Sequence, residues 1–314
     1  MFDIRRYSPD RQDEWNAFVA TSKNGTFLFD RRYMDYHADR FQDYSLMFYY
    51  DGTLYAVMPA NADGDTFQSH KGLTYGGLVT NSKTTAAMTV QLFRELNSFL
   101  RQQGFRHVLY KCVPWIYHQM AAEEDLYAIA RTCDIRLIDR DLGTVIIQPN
   151  PIRWERVRRR ALKRALEAGL IVEQSDDLAG FWKVLQDNLE LKYSSKPVHT
   201  LAEIELLHRR FPKNILLFVA KKDNEILAGI LLYVSRQVAR AQYSSATRIG
   251  KQSGAIDIIY DRLINNDFRH LPFFEFGTSS LPGSNAINES LVFQKEGFGG
   301  RAFCWDRYEW EVGV

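Results

Sequence analysis

The sequence predicts an α/β protein of the α+β kind, built as two units in tandem, each a mixed, mostly antiparallel sheet flanked by helices. Three observations carry that expectation. A chain of 314 residues is longer than one hydrophobic core usually grows. Its 46% hydrophobic and 13% aromatic content is that of a folded chain, not a disordered one. The order of elements in the first half is then met again in the second, on either side of the break Gln148-Pro149-Asn150-Pro151, whose prolines withhold donors from a sheet. The expected units are 1–148 and 152–314, with one composite domain as the alternative.

The first half opens with a short strand at 2–6 and a helix at 9–20, capped by Ser8 or Asp10, with Trp15, Phe18 and Val19 as its apolar stripe. A turn at 26–30 and a short helix at 33–40 follow. Strands at 45–50 and 54–61 meet at Asp51-Gly52, a strong hairpin signal. A polar loop leads to the glycine-rich stretch near Gly72. Met88, Leu92, Leu96 and Leu100 recur every four residues, which predicts a helix over 84–103. A strand at 106–112, a helical region at 120–132 and a strand at 137–147 complete this half.

The second half begins with helix 154–169, strand 170–174 and helix 177–191, whose Leu178, Phe181, Leu185 and Leu189 share one side. Thr200, with Glu203 three residues on, forms a capping box for helix 201–211. Strands at 215–221 and 225–235 flank Lys222-Asp223-Asn224. A third, 237–245, runs into a glycine-containing turn and a helix over 254–266. Short strands at 273–276 and 309–312 end the pattern.

A net charge of +2 and a pI near 8.3 make no general case for nucleic-acid binding. Charged residues near Met1 stand where a signal peptide needs an apolar run, and no apolar stretch approaches the roughly 20 residues of a membrane helix. The expectation is a cytoplasmic protein, with peripheral membrane contact left open. Cys112, Cys133 and Cys304 form no CxxC pair and read as buried thiols; no metal is expected.

Four features carry possible chemistry. In the turn before helix 254–266, Arg248, Lys251 and Gln252 supply donors beside Gly250 and Gly254. A helix N-terminus there can hold a phosphate or carboxylate, and an ordinary strand-to-helix connection is the alternative. Alternation puts Phe274 and Phe276 on one side of their strand and Phe273 and Glu275 on the other. A glutamate in so apolar a strand faces a cleft with a raised pKa or sits at a rim paired to an arginine. Asn288, Glu289 and Lys295 occupy a loop-to-turn passage before Gly297, Gly299 and Gly300, where Lys295 can neutralise an anion or simply be solvated. Arg153, Arg156, Arg158, Arg159, Arg160, Lys163 and Arg164 crowd one helix, with Arg156, Arg159, Arg160 and Lys163 on one side, fit for tRNA phosphates, an anionic bilayer or water alone.

Tyr75 among Gly72, Gly76 and Gly77, and Tyr193 before Ser194, Ser195 and Lys196, make two polar or aromatic loops. Tyr75 either lines a groove or anchors a turn.

The order of elements in the second half resembles an acyltransferase fold of the GNAT type, and the doubled plan resembles the FemAB-like, peptidoglycan bridge-forming transferases. FEFGTSSLPGSNAINESLVFQKEGFGG at 274–300, WNAFV at 15–19, Asn24-Gly25-Thr26 and GLTYGGLVT at 72–80 carry that resemblance over nearly the whole chain. It implies transfer of an acyl or aminoacyl group to an amine, with acyl-CoA or aminoacyl-tRNA as donor and no tightly bound cofactor. Glu275 is then the acid/base or orienting group. Arg248, Gly250, Lys251, Gln252, Gly254 and Lys295 serve the donor. Tyr75, Tyr193 and Glu289 serve the acceptor, for which the family-based choice is a cell-wall peptide precursor and another amine the alternative, in a groove between the halves. Arg156, Arg160 and Lys163 meet an anionic partner such as tRNA. The segment from Arg248 to Ala255 spaces its glycines more widely than coenzyme-A users do. A non-catalytic scaffold of the same fold, with an anionic partner, is the rival reading.

Overall fold

A computed structural model of the chain describes residues 1–193, 196–281 and 286–312. Two compact units result, one of Met1–Asp141 with Cys304–Val314 and one of Leu142–Phe303. The Gln148-Pro151 break therefore lies inside the second unit, and the end of the chain returns to the first. Pairing explains both. The strand expected at 137–147 continues to Ile147 to pair with the Phe273 strand, and the last strand pairs with His107–Lys111.

In the first unit, β1 (Asp3–Arg6), α1 (Gln12–Thr21), α2 (Arg31–Met34), β2 (Gln42–Asp43), β3 (Leu46–Tyr50), β4 (Thr53–Met58), β5 (Asn61–Asp63), β6 (Thr66–Gln68), β7 (Val79–Thr80), α3 (Ala86–Gln102), β8 (His107–Lys111), α4 (Glu124–Thr132) and the start of β9 (Arg136–Ile147) follow in order. The β3–β4 hairpin turns on Asp51 (φ 50°) and Gly52 (φ 72°), the two left-handed residues a type I′ turn requires. One sheet is ordered β1-β3-β4-β7. In a second set of pairings β5 joins β2 and β6, and β8 joins β6 in parallel. Thr85 caps α3 by accepting from the Met88 amide, and Leu92, Leu96 and Leu100 enter the core. Ser8 donates to Asp10 instead of capping α1, whose N-cap is Arg11.

The second unit contains α5 (Arg156–Glu167), β10 (Ile171–Ser175), α6 (Leu178–Tyr193), α7 (Leu201–Arg210), β11 (Ile215–Lys222), β12 (Glu225–Val234), β13 (Val238–Ala246), α8 (Arg248–Ser253), α9 (Ala255–Arg262), β14 (Phe273–Thr278), α10 (Glu289–Gly297) and the start of β15 (Arg301–Glu311). Its sheet is antiparallel from β10 through β13. β13 then runs parallel to β14, and β14 antiparallel to the end of β9. The Thr200–Glu203 capping box forms in both directions. Helix α9 packs its Ile259, and the turn after it Leu263, into a core with Phe274, Phe276 and Phe298. Where one helix was expected over 254–266, α9 passes into a π-helical turn at Leu263–Asp267.

The chain thus has an α/β fold of mixed sheets flanked by helices, and its two units do not repeat one another strand for strand. Two further expectations change. Residues 288–297, read as a loop, form α10, because Asn288 accepts from the Leu291 amide as an N-cap and Glu289 follows in the first turn. The strand expected at 309–312 is the end of the eleven-residue β15. Cys304 is exposed, where a buried thiol was expected, and Cys112 and Cys133 are half-buried. No helix among the described residues is long and apolar enough to cross a membrane.

Candidate active site

The parallel pairing of β13 with β14 covers only Val238–Arg240 against Phe273–Glu275. Immediately beyond it both strands bulge. On β13, Leu232 faces Ala241 and Leu231 faces Tyr243, so Gln242 is the extra residue. On β14, Glu275 faces Val145 and Thr278 faces Gly143, so Phe276 and Gly277 oppose a single residue of β9. Gly277 has φ 73°, a conformation that suits glycine at a bulge. Two bulges at one point end the ladder and leave main-chain groups of both strands turned out of mutual pairing. Bulges placed in this way re-aim side chains next to active sites.

Glu275 lies at this point and is fully buried, with Arg240 Nη1 3.9 Å from its Oε1. The sequence alternation holds: Phe274 and Phe276 enter the α9-side core, and Glu275 pairs with Arg240 on the register. Lys295, from the last turn of α10, is 5% exposed. Its Nζ donates to Gly277 O (2.9 Å), Thr278 O (2.8 Å) and Ser279 Oγ (2.8 Å). Burial pushes its pKa down to about 7, with Glu275 opposing the shift and Arg240 adding to it. An ammonium has three protons for these three acceptors, so Lys295 first of all staples the bulged end of β14. Glu275 and Lys295, singled out separately in the sequence, are thus joined here with Arg240.

Past the β13 bulge, Tyr243 packs edge-on against Trp182 of α6, with ring centroids 5.2 Å apart. Its hydroxyl lies 2.6 Å from His199 Nδ1, ahead of the α7 cap. Burial raises the Tyr243 pKa to about 12, so the phenol keeps its proton at neutral pH. Sequence reasoning passed over Arg240, Tyr243 and His199. The available signal was the run Val-Ala-Arg-Ala-Gln-Tyr at 238–243, where polar side chains alternate with alanines in a strand that leads to the glycine turn.

The other expected donor residues stand elsewhere. Between Arg240 and Ala246, β13 spans six residues, about 20 Å of extended chain, and Arg248, Lys251 and Gln252 follow on α8. What was expected as a turn is a short helix because Thr247 caps it, accepting from the Gly250 amide at 3.0 Å, and Gly254 ends it at φ 83°. Both glycines are explained by the chain itself: a Cβ would lie 2.1 Å from Leu227 O at Gly250 and 2.2 Å from Ala161 O at Gly254. That space is therefore filled by backbone and not left for a ligand. Lys251 Nζ donates to Asn188 Oδ1, and the Gln252 carbonyl accepts from Arg164 Nε at 3.3 Å.

Tyr75 is 2% exposed and donates to Thr26 Oγ1 at 2.9 Å, so it anchors a turn in the core of the first unit instead of lining a surface. Glu289 is exposed in the first turn of α10. Tyr193 ends α6; Ser194, Ser195 and residues 282–285 of the quoted segment lie outside the described residues. On the basic helix, Arg156, Arg160 and Lys163 are exposed, Lys163 facing Glu167 at 3.6 Å. Its neighbour Arg158 instead turns inward to Asp257 at 3.1 Å. Burial raises the Asp257 pKa and Arg158 opposes it. Part of the charge run therefore fastens α5 to α9.

No protein-family model and no curated protein sequence matches the chain. Solved structures do. FemX is similar over 98% of this chain and 97% of its own, at 10% identity and a TM-score of 0.68. L-PGS from Bacillus licheniformis is similar over 99% of this chain and 94% of its own, at 11% identity and 0.57. A tandem GNAT protein from the clavulanic acid biosynthesis pathway covers 100% and 99%, at 10% identity and 0.50. At such identities the likeness is one of fold alone.

Proposed function

We propose that the chain is an N-acyltransferase or aminoacyltransferase, with its site where β13 and β14 part in the second unit. The observation that carries this reading is the double bulge directly after the Arg240–Glu275 pair, on a fold shared with acyl- and aminoacyltransferases. Main-chain groups released there orient the donor carbonyl, and Arg240 and Lys295 bias the site toward the developing oxyanion. Glu275, buried beside Arg240 and favouring the charged form of Lys295, acts as the orienting group.

In the reaction an amine attacks the donor carbonyl, a C–N bond forms, and the C–O or C–S bond to the carrier breaks. The amine loses a proton to water or a base, and the leaving oxygen or sulfur needs one. Tyr243, a phenol at neutral pH, supplies it, and His199 at 2.6 Å returns it. The exposed Arg156, Arg160 and Lys163 fit the phosphates of a tRNA-borne donor. The wide glycine spacing and filled turn at α8 favour that donor over acyl-CoA. A cell-wall peptide amine is the acceptor that accords with the FemX-like fold, and on this reading the two units are diverged copies of one domain.

Transfer is tested by incubating the purified chain with aminoacyl-tRNA or acyl-CoA and a panel of amines, read by mass gain of the acceptor. Product formation lowered about a hundredfold by Tyr243→Phe is expected. No product with either donor class overturns the reading in favour of a non-catalytic scaffold.

A further inference from the structure

A cavity lies in the second unit, on the α5 side of α9, with a volume of about 410 Å³, within the range of small-molecule sites. Ile152, Trp154, Leu162, Ile264 and Phe298 give it apolar walls, and Arg153 and Arg159 give it charge. Three features set it apart from a chance surface dip. Both guanidinium groups lack a carboxylate or hydrogen-bond partner among the described residues, although other arginines nearby, Arg158 and Arg164, have one. Ile264 and Asn265 reach the cavity from the π-helical turn at Leu263–Asp267, an uncommon distortion often found at functional sites. Ile152 is 44% exposed at the wall, an apolar surface left in water beside two unpaired cations.

Asp261 also faces the cavity, but its Oδ1 accepts from Asn265 Nδ2 at 2.8 Å. Two arginines against one aspartate leave a net single positive charge. That balance suits a monoanion better than a free phosphate dianion, and the apolar walls give a purely ionic ligand little to bind. We propose that this cavity binds a single-chain amphiphilic monoanion of the fatty-carboxylate type. Its head pairs with Arg153 and Arg159, and its tail lies against Trp154, Leu162, Ile264 and Phe298. The inference does not depend on the transferase reading, since none of these residues is assigned to the reaction.

Titration calorimetry of the full chain with decanoate, kept below its micelle concentration, tests it. Saturable binding is expected, with acetate and neutral decanol each at least about tenfold weaker, because one lacks the tail and the other the charge. The exposed pair Arg153→Gln with Arg159→Gln weakens decanoate about tenfold or more. Leu162→Trp fills the cavity and abolishes binding. Far-UV circular dichroism and melting points check that both variants fold, and the arginine pair alone suffices if Leu162→Trp does not. The proposal is overturned if decanoate does not saturate, if decanol binds as well, or if the arginine pair leaves the affinity unchanged. Association only with phosphatidylglycerol-containing vesicles, and not with monomeric decanoate, overturns it in favour of a membrane surface.

Discussion

Each unit holds a lysine that gathers the acceptors of a nearby loop, yet the two lysines stand in different company. In the first unit Lys111 Nζ donates to the carbonyls of His70 (3.3 Å), Lys71 (3.3 Å) and Leu73 (2.8 Å). It pins a segment in which His70 sits buried at φ 53°, a conformation that costs about 1 kcal/mol or more in a non-glycine residue. Burial lowers its pKa to about 8, and Arg307 adds to the shift. No carboxylate forms an ion pair with it among the described residues. In the second unit Lys295 makes the same kind of three-point staple, but Glu275 and Arg240 enter its electrostatics. The comparison separates two uses of one device. A buried ammonium bound to carbonyls stabilises a loop; on the proposed reading, the same ammonium in a charged cluster at a parted strand pair also serves the reaction.

The sharpest way to break this comparison is through the acids. Glu275→Gln is expected to lower the transfer rate about a hundredfold or more. Asp125→Asn, in the first unit, removes a buried acid whose burial raises its pKa to about 6 and which accepts from Tyr110 at 2.6 Å. It should alter the rate per folded molecule less than about twofold, since that network is structural. Equal losses in a steady-state assay would show that the two buried acids do not differ in role.

The lysines themselves come next. Lys111→Met and Lys295→Met should each lower stability by about 2–4 kcal/mol, because three acceptors lose a charged donor. Urea unfolding measures this, and only Lys295→Met should also abolish transfer. The pH dependence has a definite sign. Lys295 binds its proton less tightly when folded, at about 7, than the roughly 10.4 of an unfolded lysine. The unfolded chain therefore holds more protons between those values, and the lysine's contribution to stability rises with pH across that window and is flat below it. For Lys111 the rise begins near about 8. Unfolding of wild type and each Met variant at about pH 6 and about pH 9 tests this; a difference that shrinks as pH rises contradicts it.

The smallest effect is expected on α5, where the inward Arg158 and the exposed Arg156, Arg160 and Lys163 divide structure from binding. Replacing the three exposed residues with glutamine should leave melting unchanged and weaken binding to tRNA. Each lost phosphate contact should lower the magnitude of the log-affinity against log-salt slope by about 0.7 to 0.9. Unchanged slopes for tRNA and for anionic vesicles would reduce the face to a solvated one.

Local rules were enough for much of the chain. The Asp51-Gly52 turn, the α3 stripe of Leu92, Leu96 and Leu100, the Thr200 capping box and the alternation of Phe274, Glu275 and Phe276 all depend on neighbours a few residues away, so their spacing states them. Residues 288–297 were missed as a helix because glycines at 297, 299 and 300 outweighed the Asn288 cap. The glycines of the α8 segment looked like room for a ligand, since a sequence cannot show that Leu227 O and Ala161 O fill that space. What only the tertiary structure decided is the company each side chain keeps. Glu275, Lys295 and Arg240 become one cluster through strand register and the α10 packing, and Tyr243 meets His199 across 44 residues of chain. Burial and long-range pairing, which set the charge state of those groups, are properties of the folded chain and not of any local stretch of its sequence.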